Sequence, residues 1–278
     1  MQAYLILASR EDATLHALLK MLDDAENAIF LHVDKKFGSL SALTMQNARL
    51  TVLPRIKTDW GSDSLVTAEV ALLKAATAAG NFDYYHLLSG QDLPIKSQVE
   101  IRAFLAENRG KEFIAVDEGG FHDDYRVRYF HVFQQHLRTN SWQRRLNWQF
   151  FNLQKMLHLT HNRKMKFQKG AQWFSITDDL ARFVVSREDW IKKTFRKTFV
   201  ADEIFLQTLI LDTSFEKKNA GNQRFVKWAD GAASPEVLTL ADLSEIEASG
   251  ALFARKFDAT VDSKIIEKIK ESVTHAKI

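Results

Sequence analysis

Two hydrophobic rhythms share the first half of the chain. Near-continuous apolar runs at Ala3 to Ala8, Ala28 to Val33 and Tyr84 to Leu88 read as buried strands, with shorter ones at Thr51 to Leu53 and Lys111 to Val116. Between them, Asp12 to Asp23 and Ser64 to Ala79 space their apolar and alanine positions by three and four, as helices do. From Ser97 to Glu107 the spacing of Val99, Ile101, Phe104 and Leu105 is again helical, with Ser97 placed to cap it and Glu100 to complete a capping box. This alternation predicts an α/β fold with a mainly parallel sheet flanked by helices.

The second half is less regular. Ser141 to about Leu159 fits an amphipathic helix, and Asp178 to Ser186 and Asp202 to Leu211 also read as helical. The tail divides into an apolar Leu238 to Leu240, a helix-like Ala241 to Ala248, a short strand at Ala251 to Phe253 and a charged amphipathic helix from Asp262 onwards. No repeat or low-complexity linker interrupts the chain. A single domain over 1–278 is expected, with residues 1–116 forming one half and 117–278 the other.

Composition narrows the class. The 278 residues are 46% hydrophobic, enough for a sizeable core. There are no cysteines, which rules out disulfides and cysteine-held zinc and points to a reducing compartment, the cytosol. No apolar run approaches the roughly 20 residues of a spanning helix. Charge is uneven: Tyr125 to Thr177 holds ten Lys/Arg and no Asp or Glu, so the net +3 of the chain is +10 there and −7 elsewhere. That segment interleaves its cations with Tyr129, Phe130, Phe133, Trp142, Trp148, Phe150 and Phe151. It suits either a phosphate-bearing or membrane-surface partner or a solvated helical insertion with aromatics turned to the core. The His131/His136 and His158/His161 pairs have helical spacing, but with no carboxylate nearby they read as packed or solvated rather than metal-binding.

In open α/β sheets, ligands bind beyond the carboxyl ends of the strands. Three polar sets stand there: His32-Val33-Asp34, Asp59-Trp60-Gly61-Ser62 and Ser89-Gly90-Gln91-Asp92. Each is also what an ordinary turn uses. Further on, Lys169-Gly170-Ala171-Gln172-Trp173-Phe174 precedes a strand, Ala201-Asp202-Glu203 opens a helix with two acids, and Arg255-Lys256 sits between phenylalanines where a diphosphate could be clamped.

Taken together, HVDKK at 32–36, LLSGQDLPIKS at 87–97, KGAQWF at 169–174, ADEIFLQTL at 201–209 and LFARKFD at 252–258 resemble the core-2/I-branching glycosyltransferase family, which includes peptide O-xylosyltransferases and bacterial members. The resemblance runs in order along nearly the whole chain. It implies a GT-A-like fold, with a Rossmann-like sheet and here a basic helical insertion, that transfers a sugar from a UDP-sugar with inversion and without a divalent metal or other cofactor. The absence of any Asp-x-Asp triplet agrees with the last point. By position, Glu203 falls on the catalytic base, Lys256 on the diphosphate-binding lysine, Asp34 on the uracil-contacting acid, Asp92 on the acid near donor sugar and ribose, and Trp60 on the donor-site tryptophan.

One departure concerns the phosphates. Ala233 stands where the relatives that branch mucin-type glycans have a second cation. Arg255 or a residue of the basic segment could substitute, although Arg255 neighbours Lys256 and adjacent strand residues point to opposite faces. The resemblance places acceptor contacts in the stretch from Asp117-Glu118-Gly119-Gly120 through Tyr125, Arg126 and Arg128, with Glu118 and Arg128 carried over by position, and the basic segment suits an anionic or lipid-linked glycan acceptor at a membrane face. The setting this implies is a bacterial enzyme of surface-polysaccharide synthesis, cytoplasmic or peripheral at the inner membrane face, with N-acetylglucosamine or xylose as donor sugar. Two rival readings differ in class. A metal-dependent nucleotidyl or phosphoryl transferase would want clustered carboxylates or a glycine-rich phosphate loop, and neither GxGxxG nor GxxxxGK[ST] occurs. A nucleic-acid-binding protein using 125–169 would leave the sheet-edge acids unexplained.

Overall fold

A computed structural model describes residues 1–134 and 142–275. His136, Arg138 and Ser141 therefore lie outside the described residues. In chain order the first elements are β1 (Gln2–Ala8), α1 (Ala13–Met21), β2 (Asn27–Val33), β3 (Arg49–Val52), α2 (Asp63–Ala79), β4 (Tyr84–Ser89), β5 (Asp92–Pro94), α3 (Gln98–Glu107) and β6 (Phe113–Ile114). Then follow α4 (Asp124–Arg128), α5 (Trp142–Met156), β7 (Phe174–Thr177), α6 (Asp178–Ser186), α7 (Glu188–Thr194), α8 (Phe205–Ile210) and α9 (Ser214–Lys217). The chain continues through β8 (Arg224–Val226), α10 (Leu243–Ala248), β9 (Phe253–Arg255) and α11 (Ser263–His275).

Six strands form the main sheet in the order β3-β2-β1-β4-β7-β6. The pairs among β3, β2, β1 and β4 are parallel, whereas β7 runs antiparallel to both of its neighbours. The α/β architecture with a mostly parallel sheet is the one the hydrophobic rhythm predicts. Its apolar runs are near-continuous because both faces are covered. Along β1, Ala3, Leu5 and Leu7 enter a core shared with α2 and α6, while Tyr4, Ile6 and Ala8 enter a second core shared with α1, α3 and α11. Local signals set the helix starts: Asp12 accepts from the Leu15 amide, Thr177 from that of Leu180, and Ser97 and Glu100 form the expected capping box.

A second, three-stranded sheet, β5-β9-β8, was not foreseen. The main-sheet strand β4 stops at Ser89, the chain turns through Gly90 and Gln91, and β5 then leaves for this small sheet. Gly90 permits the turn because a Cβ there would sit 3.0 Å from that of Ala8. Other boundaries also move. Only Phe113 and Ile114 of the expected 111–116 strand pair with β7, the last strand lies at Phe253–Arg255 rather than 251–253, and the expected 202–211 helix is a 3-10 turn, Ala201–Glu203, followed by α8. Leu238 to Leu240 belongs to no strand, and Leu240 opens a second 3-10 turn.

Gly170 lets the segment before β7 pass against the strand-end backbone after β6, since a Cβ there would lie 1.9 Å from the Ala115 carbonyl oxygen. A backbone atom cannot rotate away. Gly170→Ala is therefore expected to lower unfolding free energy by about 2 kcal/mol or more in urea titrations, whereas Gly119→Ala, which meets nothing within 4 Å, leaves the midpoint within experimental error.

Candidate active site

Chain order reverses at β1: β2 and β3 lie on one side, and β4 on the other. Just beyond the carboxyl ends of these strands opens a cleft of about 720 Å³, bordered by Ser9 after β1, Asp34 after β2 and Gln91 after β4. This is the switch-point position at which open α/β sheets bind ligands.

On one wall Asp34 is buried, and its carboxylate accepts from the Thr58 hydroxyl (2.9 Å) and the Lys36 amide (2.8 Å), with the Lys36 ammonium 3.4 Å away. Beside it, His32 accepts from the Ile56 amide at 3.0 Å; burial pushes its pKa down, leaving a neutral ring with its other nitrogen free of protein partners. Trp60 stands 42% exposed at the rim, edge-on to Phe199 at 5.8 Å. Trp228, from the loop after β8, also lines the cleft and is 56% exposed.

Arg255 and Lys256 form another part of the lining. Asp92 does not face the cleft; it lies beneath, 1% exposed, accepting from the Ser89 amide (2.9 Å) and hydroxyl (2.6 Å), with Arg255 Nε at 3.7 Å. Arg255 lines the cleft with its guanidinium 4.3 Å above the Trp173 ring. Burial pushes the Arg255 pKa down while Asp92 pulls it back, and its Nε and one terminal nitrogen have no hydrogen-bond partner. Lys256 also lines the cleft, and among the described residues no carboxylate pairs with it. The expected alternation of Arg255 and Lys256 is thus corrected: β9 ends at Arg255, so strand alternation does not govern the next residue. Ala233 forms part of the same wall. Deeper still, Arg224 is packed on Phe253 and held by the Leu87 carbonyl (3.3 Å), the Phe174 carbonyl and the Ser175 hydroxyl, and burial lowers its pKa to about 9.

Carboxylates occupy the floor. Val200, a β-branched residue at φ 53°, donates its amide to the Gly61 carbonyl at 2.8 Å and turns the chain into Ala201–Glu203. Such a conformation is costly for valine and marks a constrained site. Glu203 is partly exposed to the cleft; burial raises its pKa, and Arg126, whose guanidinium lies 3.2 Å from Oε2, together with Lys169 pulls it back. Asp202 beside it is buried, with Oδ1 lacking a partner, and burial plus the Glu203 charge pushes its pKa up to about 7. Behind both, Glu69 of α2 is fully buried and held well above the carboxylate range by burial and by Asp202, with Gln172 donating to it at 2.8 Å.

Of the residues expected from sequence, Asp34, Trp60, Glu203, Arg255 and Lys256 meet around this cleft, with Asp92 under its wall. Glu118 and Arg128 do not line it. The Arg128 guanidinium instead donates to the carbonyls of Asn162 and Met165 and lies over Phe167, a structural use that takes it away from the cleft. The acid that does reach the cleft there is Asp117, 3.5 Å from Lys169. Lys36, Lys169 and Trp173 went unassigned although each sits inside a quoted motif; Arg126 belongs to the basic segment, and Trp228 and Glu69 had no sequence signal. Among the described residues, no group of three or more His, Asp or Glu is placed to hold a metal ion.

Comparison with known proteins bears on the family. The family model described as Core-2/I-Branching enzyme matches residues 2–248. The chain belongs to the core-2/I-branching enzyme family. It is similar to Xylosyltransferase 2 of Rattus norvegicus, 24% identical over 295 residues that cover 95% of this chain and 32% of the relative. It is also similar to a Xylosyltransferase of Ciona intestinalis, 24% identical over 95% of this chain and 33% of that one. The chain thus spans about a third of the length of these xylosyltransferases. Among solved structures, S. aureus TarS matches with a TM-score of 0.29 and 12% identity over 41% of this chain and 21% of that one, too slight a likeness to argue from.

A carboxyl whose folded pKa is raised holds its proton in the folded state while the unfolded chain has already lost its own, so it costs stability as pH climbs from its ordinary value to its folded one. For Asp202 that window is about pH 4 to 7. Asp202→Asn should therefore gain stability relative to wild type across this window and hold a constant difference above it, as read by urea unfolding at pH 5, 6, 7 and 8.

Proposed function

We propose that the protein is an inverting glycosyltransferase that moves a sugar from a UDP-sugar to a hydroxyl of a glycan acceptor, with cationic side chains in place of a divalent metal. The observation that carries the reading is the presence, in one switch-point cleft, of a partly buried carboxylate of raised pKa and the two cations Arg255 and Lys256. Glu203 is the base. Its carboxylate takes the proton of the acceptor hydroxyl as that oxygen attacks the anomeric carbon; the bond from that carbon to the diphosphate oxygen breaks, and UDP departs with the electron pair from the opposite face. Lys256 and Arg255 supply the positive charge that the departing diphosphate requires. Arg255 is suited to this because it keeps unpartnered N–H donors and its stack on Trp173 holds the guanidinium in place.

Arg126 tunes the base. It engages one oxygen of Glu203 and holds its pKa below what burial alone would set. On the nucleotide side, the buried Asp34 and the exposed ring of Trp60 line the wall where a base and ribose would lie. The names of the relatives make xylose the first donor sugar to test, with N-acetylglucosamine the second.

Transfer assays with UDP-xylose and UDP-N-acetylglucosamine test the mechanism. Glu203→Gln should lose about 10²- to 10⁴-fold in kcat while still binding UDP. Arg126→Gln should move the acidic limb of the kcat/KM profile to higher pH, since a positive charge that favours ionised Glu203 has gone. Undiminished turnover by Glu203→Gln would remove the base assignment.

A further inference from the structure

Helix α5 meets the protein through two amides and one aromatic ring. Its buried positions are Asn147, Phe151 and Gln154, and the two amides are spent on the backbone before it: the Phe133 amide donates to Asn147 Oδ1 at 3.3 Å, while Gln154 accepts from the Phe130 amide and donates to its carbonyl, both at 3.0 Å. One stripe of its exposed surface is apolar. Trp142, Leu146, Phe150 and Leu153 follow at intervals of four, four and three, and Leu157, whose amide still bonds the Leu153 carbonyl, continues the row. These spacings keep all five side chains within about 100° of the helix circumference. All five are exposed, Trp142 by 65% and Leu157 by 53%, and Met156 and Leu159 extend the row's far end.

We infer that this row is a docking surface for an anionic lipid bilayer, on which α5 lies flat with its apolar side in the headgroup region. Charge complementarity selects the occupant. Arg145 borders the row, Lys155, Arg163 and Lys164 are exposed nearby, and no acidic residue occurs from 125 to 177. A second copy of this chain would press two such basic faces together, and a nucleic acid offers nothing to bury Leu146, Leu153 and Leu157. Among the described residues no helix is long and apolar enough to cross a membrane, so the fitting geometry is interfacial. Ring contacts tie this helix to the cleft: Phe151 stacks on His131, His131 packs on Phe199, and Phe199 meets Trp60 at the rim. Membrane docking would hold the cleft mouth beside the bilayer. The inference does not depend on the proposed transfer reaction.

Sedimentation of the full chain with vesicles tests it, using phosphatidylcholine alone and phosphatidylcholine mixed with phosphatidylglycerol. Binding to the mixed vesicles only, weakening with salt and accompanied by a blue shift of tryptophan emission, is the expected result. The double variant Leu146→Glu/Leu153→Glu should abolish binding with an unchanged circular dichroism spectrum, because both residues are exposed. Arg145→Gln/Lys155→Gln should weaken binding at least about tenfold. No binding to mixed vesicles, or binding untouched by the Leu146→Glu/Leu153→Glu pair, overturns the inference. So does a dimer, or binding to single-stranded DNA, that this same pair abolishes while vesicle binding is absent.

Discussion

Asp92 buries a carboxylate at the junction of the two sheets, and that single charge constrains much of what surrounds it. Its oxygens close the turn after β4 through the Ser89 amide and hydroxyl, which holds the carboxylate below the cleft wall. A buried ion without a partner is expensive, and deleting one member of a buried pair costs about 3–5 kcal/mol. The remedy comes from the far end of the chain: β9 pairs antiparallel with β5 in the register that sets Arg255 opposite Asp92. β9 ends there, and the next residue, Lys256, also lines the cleft. The Phe257 amide, donating to the Gln91 carbonyl at 2.8 Å, closes the junction on its other side. A structural need of the β4–β5 corner thus delivers the cations of the candidate site.

Burial grades the acids of the same cleft in a corresponding way. Glu69 is fully enclosed, Asp202 nearly so, and Glu203 opens to the cavity beside Arg126. Of the three, Glu203 is the one open to the cavity, where a ligand could exchange a proton with it. Burial holds Glu69 well above the carboxylate range and moves Asp202 up to about 7, so both carry less negative charge than exposed acids would.

Elements governed by local rules could be read from the sequence. β1, β2 and β4 announce themselves because they are covered on both faces, α3 through its capping box, and α6 by a spacing and cap that mark both ends. The small sheet could not be read. Its strands have three residues each, too few to show a period, and its pairing joins Asp92 to a residue far along the chain. The same limit hid the common orientation of Arg255 and Lys256, which depends on where β9 stops. Motif position suggested Arg128 as a ligand contact, but a guanidinium next to free carbonyls binds them. For α5, periodicity revealed two unlike sides without revealing which faces out. The orientation follows the backbone groups at Phe130 and Phe133, which Gln154 and Asn147 satisfy.

The central claim is that side-chain cations, in a cleft at the sheet's switch point, hold a nucleoside diphosphate without a metal. Calorimetric titration with UDP in the presence of EDTA, on wild type and on Lys256→Ala, tests it most directly. The account predicts binding by wild type that survives EDTA and is weakened about tenfold or more in the variant. Binding that appears only after magnesium or manganese is added, or that Lys256→Ala leaves unchanged, would contradict it.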